Sequence, residues 1–213
     1  MAKQVASYVS FGSWRLGDQT RAEAVWGILF KDPARSAAIV AGIMVEDSLE
    51  KKLKSTLRNS SVFDSLFGLG RPLHFFGQRN QLAYLMRIYG KPFYQELETI
   101  ASIRNRFAHL YVDKKSGQPI KNFKSPTIKE LCGKLMLMEH LERLEEERRE
   151  RLGLRISRGP SWAKSSEPLE ALKQPRIRYI RTCGLCVSAL NDELDPKNIE
   201  VIWADELSSP GIS

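Results

Sequence analysis

Residues 33–57 constrain this chain more than any other stretch. Pro33 follows Asp32, and then Ala37-Ala38-Ile39-Val40-Ala41-Gly42-Ile43-Met44-Val45 runs apolar with no polar interruption. A segment that is apolar nearly all round marks a central helix covered on most sides. A helix is expected over Pro33–Leu57, with Asp32 as its N-cap and Pro33 as its first helical residue. Its second half turns amphipathic, with Leu49, Leu53 and Leu57 on one face and Lys51, Lys52 and Lys54 away from it. At about 100° per residue, Glu46 falls beside the Gly42/Leu49/Leu53 face, and Asp47 falls nearly opposite Leu49. Glu46 is therefore a carboxylate at the edge of a core face. An unpaired charge there is costly, so Glu46 calls for a cationic partner, and a buried arginine is expected, with a catalytic role for Glu46 as the alternative.

The rest of the chain fits an all-α, antiparallel helical bundle. A short helix over residues 20–30 is broken by Lys31-Asp32-Pro33. Residues 58–77 read as a loop turned by Gly68, Gly70 and Pro72 and anchored by Phe63, Leu66, Phe67 and Leu73. A helix is expected from Gln78 to Tyr89, with Leu82, Leu85, Met86 and Tyr89 on its apolar side. Gly90 ends it and Lys91-Pro92 opens the next, over residues 93–108. Ser125-Pro126 starts a helix carrying Ile128, Leu131, Cys132, Leu135, Leu137 and Met138. From Glu139 it becomes a charged extension over 139–152, expected to project into solvent on pairs such as Glu139/Arg143. A seam through Leu141, Leu144 and Leu152 is the alternative. Residues 153–175, with Gly153, Gly159-Pro160, Pro168 and Pro175, read as a mobile linker. A final helix returns over 176–190, with Ile177, Ile180, Leu185, Cys186 and Leu190 apolar. One domain over 19–192 is thus flanked by an irregular arm, 1–18, and a tail, 193–213, whose Ile199–Trp203 piece is strand-like.

Candidate chemistry concentrates in Ile103-Arg104-Asn105-Arg106-Phe107-Ala108-His109, at the end of the 93–108 helix. On the helical wheel Arg104 shares a side with Leu97, Ala101 and Ala108, so it points towards the core, where Glu46 is its expected partner. Asn105 and His109 lie one turn apart on another side. Arg104 and His109, five residues apart, are separated by about 140° on a regular helix. They would converge only if the helix unwinds at Ala108 or if two chains share a site. A histidine near neutral pKa takes or gives a proton at an RNA 2′-OH or leaving oxygen, and an arginine holds the phosphate. The loop that follows carries Lys114, Lys115, Lys121 and Lys124; it reads first as a solvated connection, and as the sharper alternative these lysines with Arg106 are candidate contacts to nucleic-acid phosphates.

The formal net charge of +8 favours an anionic partner, with RNA, DNA and an anionic membrane surface all compatible. No stretch approaches the ~20 apolar residues of a membrane span. Three cysteines, Cys132, Cys183 and Cys186, suit a reducing compartment, so a cytoplasmic protein is expected. Cys183-Gly184-Leu185-Cys186 has half a zinc-site spacing without a second pair, and no metal or cofactor is expected.

Two family resemblances meet at these residues. Arg104 to His109 resembles the R-x(4–6)-H signature of the HEPN (higher eukaryotes and prokaryotes nucleotide-binding) superfamily, including the polar residue after the arginine. That resemblance implies a helical bundle, often a homodimer, and a metal-independent ribonuclease with Arg104 and His109 catalytic and Asn105 supporting; Glu46, as the expected partner of Arg104, would support that site. Over residues 33–192, apart from 139–175, the chain resembles the mannitol-operon repressor-like family. The matching features are Val45-Glu46-Asp47-Ser48-Leu49-Glu50 after the Ala-rich helix, then Leu66-Phe67-Gly68 with Arg71-Pro72-Leu73. Leu82-Ala83-Tyr84, the Ile103–His109 stretch and Arg178-Tyr179-Ile180 complete them. This second resemblance implies a negative regulator that binds protein or nucleic acid, although the sequence contains no evident helix-turn-helix. A sensor of a small ligand or nucleotide is a third class that fits the same residues.

Overall fold

The computed structural model describes residues 29–57, 62–109, 111–151 and 168–192. The expected arm 1–18, most of the 20–30 helix, Leu152 at the end of the expected charged extension, residues 153–167 of the expected linker and the 193–213 tail with Ile199–Trp203 lie outside these. The described chain is all-α. Its helices are α1 (Ala34–Thr56), α2 (Phe63–Leu66), α3 (Phe76–Leu85), α4 (Lys91–Ala108), α5 (Pro126–Gly133), α6 (Leu137–Arg151), α7 (Pro168–Ala171) and α8 (Pro175–Leu190). The only β pairing among the described residues is one isolated bridge between Val112 and Pro119. No described helix is long and apolar enough to cross a membrane.

The small residues of α1 determine how the fold packs. Ala37, Ala38, Ala41, Gly42 and Val45 are buried, and they let α8 and α4 approach closely. The Tyr179 hydroxyl of α8 donates to the Ala38 carbonyl at 2.9 Å, which fixes the crossing. Leu49 and Leu53 extend the core towards α3. α8 is more buried than its expected apolar side required: Tyr179, Ile180, Thr182, Cys183, Leu185 and Cys186 are all covered. The three cysteines are free, buried thiols in this core.

Several local expectations are corrected. Pro33, not Asp32, occupies the N-cap of α1, and its carbonyl accepts the first helical N–H, from Ala37. The Asp32 carbonyl instead accepts from Arg176. α3 starts before Gln78, at Phe76, and stops short of Tyr89, at Leu85. Arg87 adopts a left-handed φ of 57°, with Arg87 N–H donating to Tyr84 and Ile88 N–H to Ala83. These bonds close the helix as a Schellman motif on an arginine rather than a glycine. Leu85 is left outside at 78% exposure, and Tyr89 folds back to donate to Asn80 Oδ1 at 2.7 Å. Gly90 accordingly caps the start of α4 instead of ending α3.

The expected helix from Ser125 into the charged extension is two helices. It breaks after Gly133, and the N–H of Leu137, at the start of α6, donates to the buried Glu96 carboxylate of α4. The charged helix does not simply project. Leu141 is buried and Leu144 packs on the same core, while Glu139 holds both Arg143 and Arg178, the latter at 2.8 Å. The end of the expected linker is also ordered: α7 covers residues 168–171, and Ala171 and Leu172 are buried.

Candidate functional site

Arg104 reaches Glu46 by crossing a glycine. A Cβ on Gly42 would stand 2.7 Å from Arg104 Cγ, 2.8 Å from its Cβ and 3.1 Å from the Tyr179 hydroxyl. The bare backbone of α1 therefore forms the groove in which the Arg104 stem lies. One helical turn on, Arg104 Nη2 meets Glu46 Oε2 at 2.5 Å. The opposite Glu46 oxygen lies 3.5 Å from Arg79 Nη1, which also meets Glu50 Oε2 at 2.9 Å. Lys54 closes the series on Glu50 at 2.7 Å. Arg79 is anchored by Nε donating to the Leu73 carbonyl at 2.6 Å. α1, α3 and α4 are thus joined by a ladder of alternating charges in which Arg104 is one end.

Replacing Gly42 by alanine tests this crossing. Alanine gains about 1 kcal/mol of helix propensity, but the overpacked contact costs about 1–3 kcal/mol. A net loss of about 1 kcal/mol is expected, read as a lower urea midpoint at unchanged slope.

His109 stands elsewhere. It is the C-cap of α4, with its N–H donating to the Asn105 carbonyl at 3.0 Å. Its exposed ring meets Tyr111 edge-on at 6.2 Å. Asn105 is exposed as well. α4 stays regular through Ala108, so Arg104 is committed on the α1 side while Asn105 and His109 open to solvent at the helix end. Arg106 stacks over Tyr111 at 5.9 Å, and Arg35 of α1 caps α4 by donating to the Ala108 carbonyl at 3.0 Å.

The lysine loop is folded against this end. Ile120 N–H donates to the Tyr111 carbonyl, and Phe123 stacks on Phe107 at 4.9 Å. Its organiser is Asp113, buried at 1% exposure, which accepts from the N–H groups of Lys115 and Thr127 and from the hydroxyls of Ser125 and Thr127. The Ser125 hydroxyl, with those N–H groups, holds the carboxyl well below the usual carboxylate range. Lys114, Lys121 and Lys124 are exposed. Lys115, one of the candidate phosphate contacts, pairs with Glu130 at 2.6 Å.

Several of these residues were not singled out from the sequence. Arg79 and Glu50 carry no signal beyond helical spacing. Glu96 does, because it interrupts the apolar series Phe93, Leu97, Ile100 at a core position. Asp113 sits two residues before an N–H that it accepts, the Asx-turn spacing. Among the described residues no cluster of histidine, cysteine, aspartate or glutamate could hold a metal ion. No family model, no curated protein and no solved structure matches this chain.

Proposed function

We propose that this protein is a negative regulator of the mannitol-repressor-like kind that binds nucleic acid with the end of the molecule where α4 stops. The observation that carries the reading is the convergence of cations there. Arg35 of α1 donates to the last turn of α4, Arg106 lies over the exposed Tyr111, and Lys121 and Lys124 are exposed on the loop whose Ile120 N–H pairs with the Tyr111 carbonyl. The aspartate in that loop, Asp113, is buried and spent on internal hydrogen bonds, so it does not oppose an incoming phosphate. Cations interleaved with an aromatic ring suit a phosphate backbone with a base to stack. The family resemblance and the net positive charge support the same reading.

Titration of short duplex DNA and single-stranded RNA between about 50 and about 200 mM salt tests it. Binding is expected to weaken steeply with salt, and Lys121→Ala/Lys124→Ala is expected to reduce the log–log slope by about 2. Absence of binding to both, or a slope unmoved by the double variant, would overturn the reading.

A second reading, a metal-independent endoribonuclease, is favoured by one observation: Asn105 and His109 are both exposed on the same end. His109 would take the proton of an RNA 2′-OH. Arg104 would have to hold the phosphate with nitrogens not engaged by Glu46, or leave Glu46. RNA cleavage in EDTA that His109→Ala abolishes would replace the regulatory reading with this one.

A further inference from the structure

The outward side of α1 carries a stripe that nothing in the site above uses. Ser36, Val40, Ile43, Asp47 and Lys51 are all exposed, and their three- and four-residue spacing keeps them on one side of the helix. Val40 and Ile43 are 41% and 42% exposed, and they sit side by side in the middle of the helix. The order of residues along the stripe is self-complementary. Val40 and Ile43 lie equally far on either side of the Ala41–Gly42 peptide bond. So do Ile39 and Met44, which flank them half-buried. Ser36 and Asp47 are the next pair out, a hydroxyl donor and a carboxylate acceptor. Asp32, just ahead of the helix, and Lys51 are the outermost pair, with opposite charges.

We infer that this stripe is the interface of a homodimer, in which α1 of one copy packs antiparallel on α1 of a second about a two-fold axis at the Ala41–Gly42 bond. That axis sets each residue against its mirror-placed counterpart, the condition of an isologous contact. Val40 of one copy meets Ile43 of the other in both directions, forming an apolar centre. The Ser36 hydroxyl donates to the other copy's Asp47 carboxylate, and Asp32 meets its Lys51. The charges select this arrangement over its neighbours. A parallel pair about a two-fold axis sets each residue against itself, so Asp47 faces Asp47 and Lys51 faces Lys51. An antiparallel pair shifted by one turn sets Asp32 against Asp47 in one direction and Val40 against Asp47 in the other. From Asp32 to Lys51 the stripe spans about 30 Å. An interface of that length lies towards the small end of stable association, so the dimer forms and dissociates with concentration.

Sedimentation velocity of the full chain from about 2 to about 200 μM tests the inference over the micromolar range expected of a small interface. The mass is expected to rise from that of a 24.3 kDa monomer towards twice that value. Ile43→Glu should hold the protein monomeric throughout. Ser36→Asp sets two carboxylates face to face and should weaken the dimer by about tenfold. Ser36→Asp/Asp47→Arg in one chain makes those facing charges opposite and should restore the dimer to at least the wild-type constant. Residues 36 and 47 are three helical turns apart within one chain, so this rescue acts only between copies. All three positions are solvent-exposed, so thermal midpoints and circular dichroism at low concentration should match wild type. A wild type monomeric across the range, a dimer indifferent to Ile43→Glu, or a double variant no tighter than Ser36→Asp would each overturn the interface. None of these outcomes depends on whether the α4 end binds nucleic acid.

Discussion

Arg79→Ala is expected to destabilise the protein by about 3 kcal/mol, the range for breaking a buried ion pair from one side. For a chain of this size that lowers the thermal midpoint by about 6–12 °C. The reasoning rests on what is left behind. Arg79 is 6% exposed, and its loss strands the Leu73 carbonyl and one oxygen each of Glu46 and Glu50. Those two carboxylates stand one turn apart on α1 and would then repel with less compensation. The guanidinium also lies over the Phe67 ring at 5.9 Å, so a packed surface is lost along with the charge. Arg79→Lys should recover only part of the loss, because one ammonium does not reproduce the planar fork that serves the carbonyl and both carboxylates. Urea unfolding of both variants checks this. A cost below about 1 kcal/mol for the alanine variant would mean that the ladder behaves as a solvated surface pair.

The second large effect concerns Glu96 and pH. Burial pushes its carboxyl up to about 7, against the opposing pull of the Leu137 and Met136 N–H groups and the Arg178 charge. One carboxylate oxygen accepts from Leu137 and the other has no hydrogen-bond partner. The folded state therefore binds this proton more tightly than the unfolded chain does. Between pH 4.5 and about 7 the native state holds more protons, so this group's contribution to stability falls as pH rises and is level above that window. The full span is about 3 kcal/mol. Glu96→Gln keeps an acceptor for Leu137 but cannot ionise. It should flatten the slope over that window and be more stable than wild type at pH 8. Glu96→Ala removes the acceptor for the start of α6 and should be less stable than Glu96→Gln at every pH. Thermal midpoints of the three proteins from pH 5 to 8 decide the matter, and a wild-type slope that survives in Glu96→Gln would show that the titrating group lies elsewhere.

How much of this could be read from the chain depends on whether a residue's partner lies on its own helix face. α1 was legible because an unbroken run of small apolar residues has few ways to be buried. The Arg104–Glu46 contact was legible because two separate wheels each aimed a charge at a core, and opposite charges in that position must find each other. The break between α5 and α6 was not legible. The local pattern favours a continued helix, and the deciding acceptor, Glu96, comes from a helix more than 40 residues earlier in the chain. The end of α3 was hidden for a related reason: a left-handed Arg87 follows from where Tyr89 must go to reach Asn80, and a propensity argument would have waited for Gly90. Gly42 was placed on the right face, but its use as a groove for the Arg104 stem appears only when α4 is laid across it.

The Asp113 hub also bears on entropy. A loop of lysines is ordinarily a floppy object, and ordering its backbone around an anion would consume much of the attraction. Here the hydrogen bonds to Lys115, Ser125 and Thr127 order that backbone during folding. Lys121 and Lys124 then arrive at any encounter on a frame already set, with only their own side-chain rotamers left to lose. On the proposed function, an anion at this end of the molecule would dock onto a finished scaffold, and the favourable charge interaction would be retained as affinity.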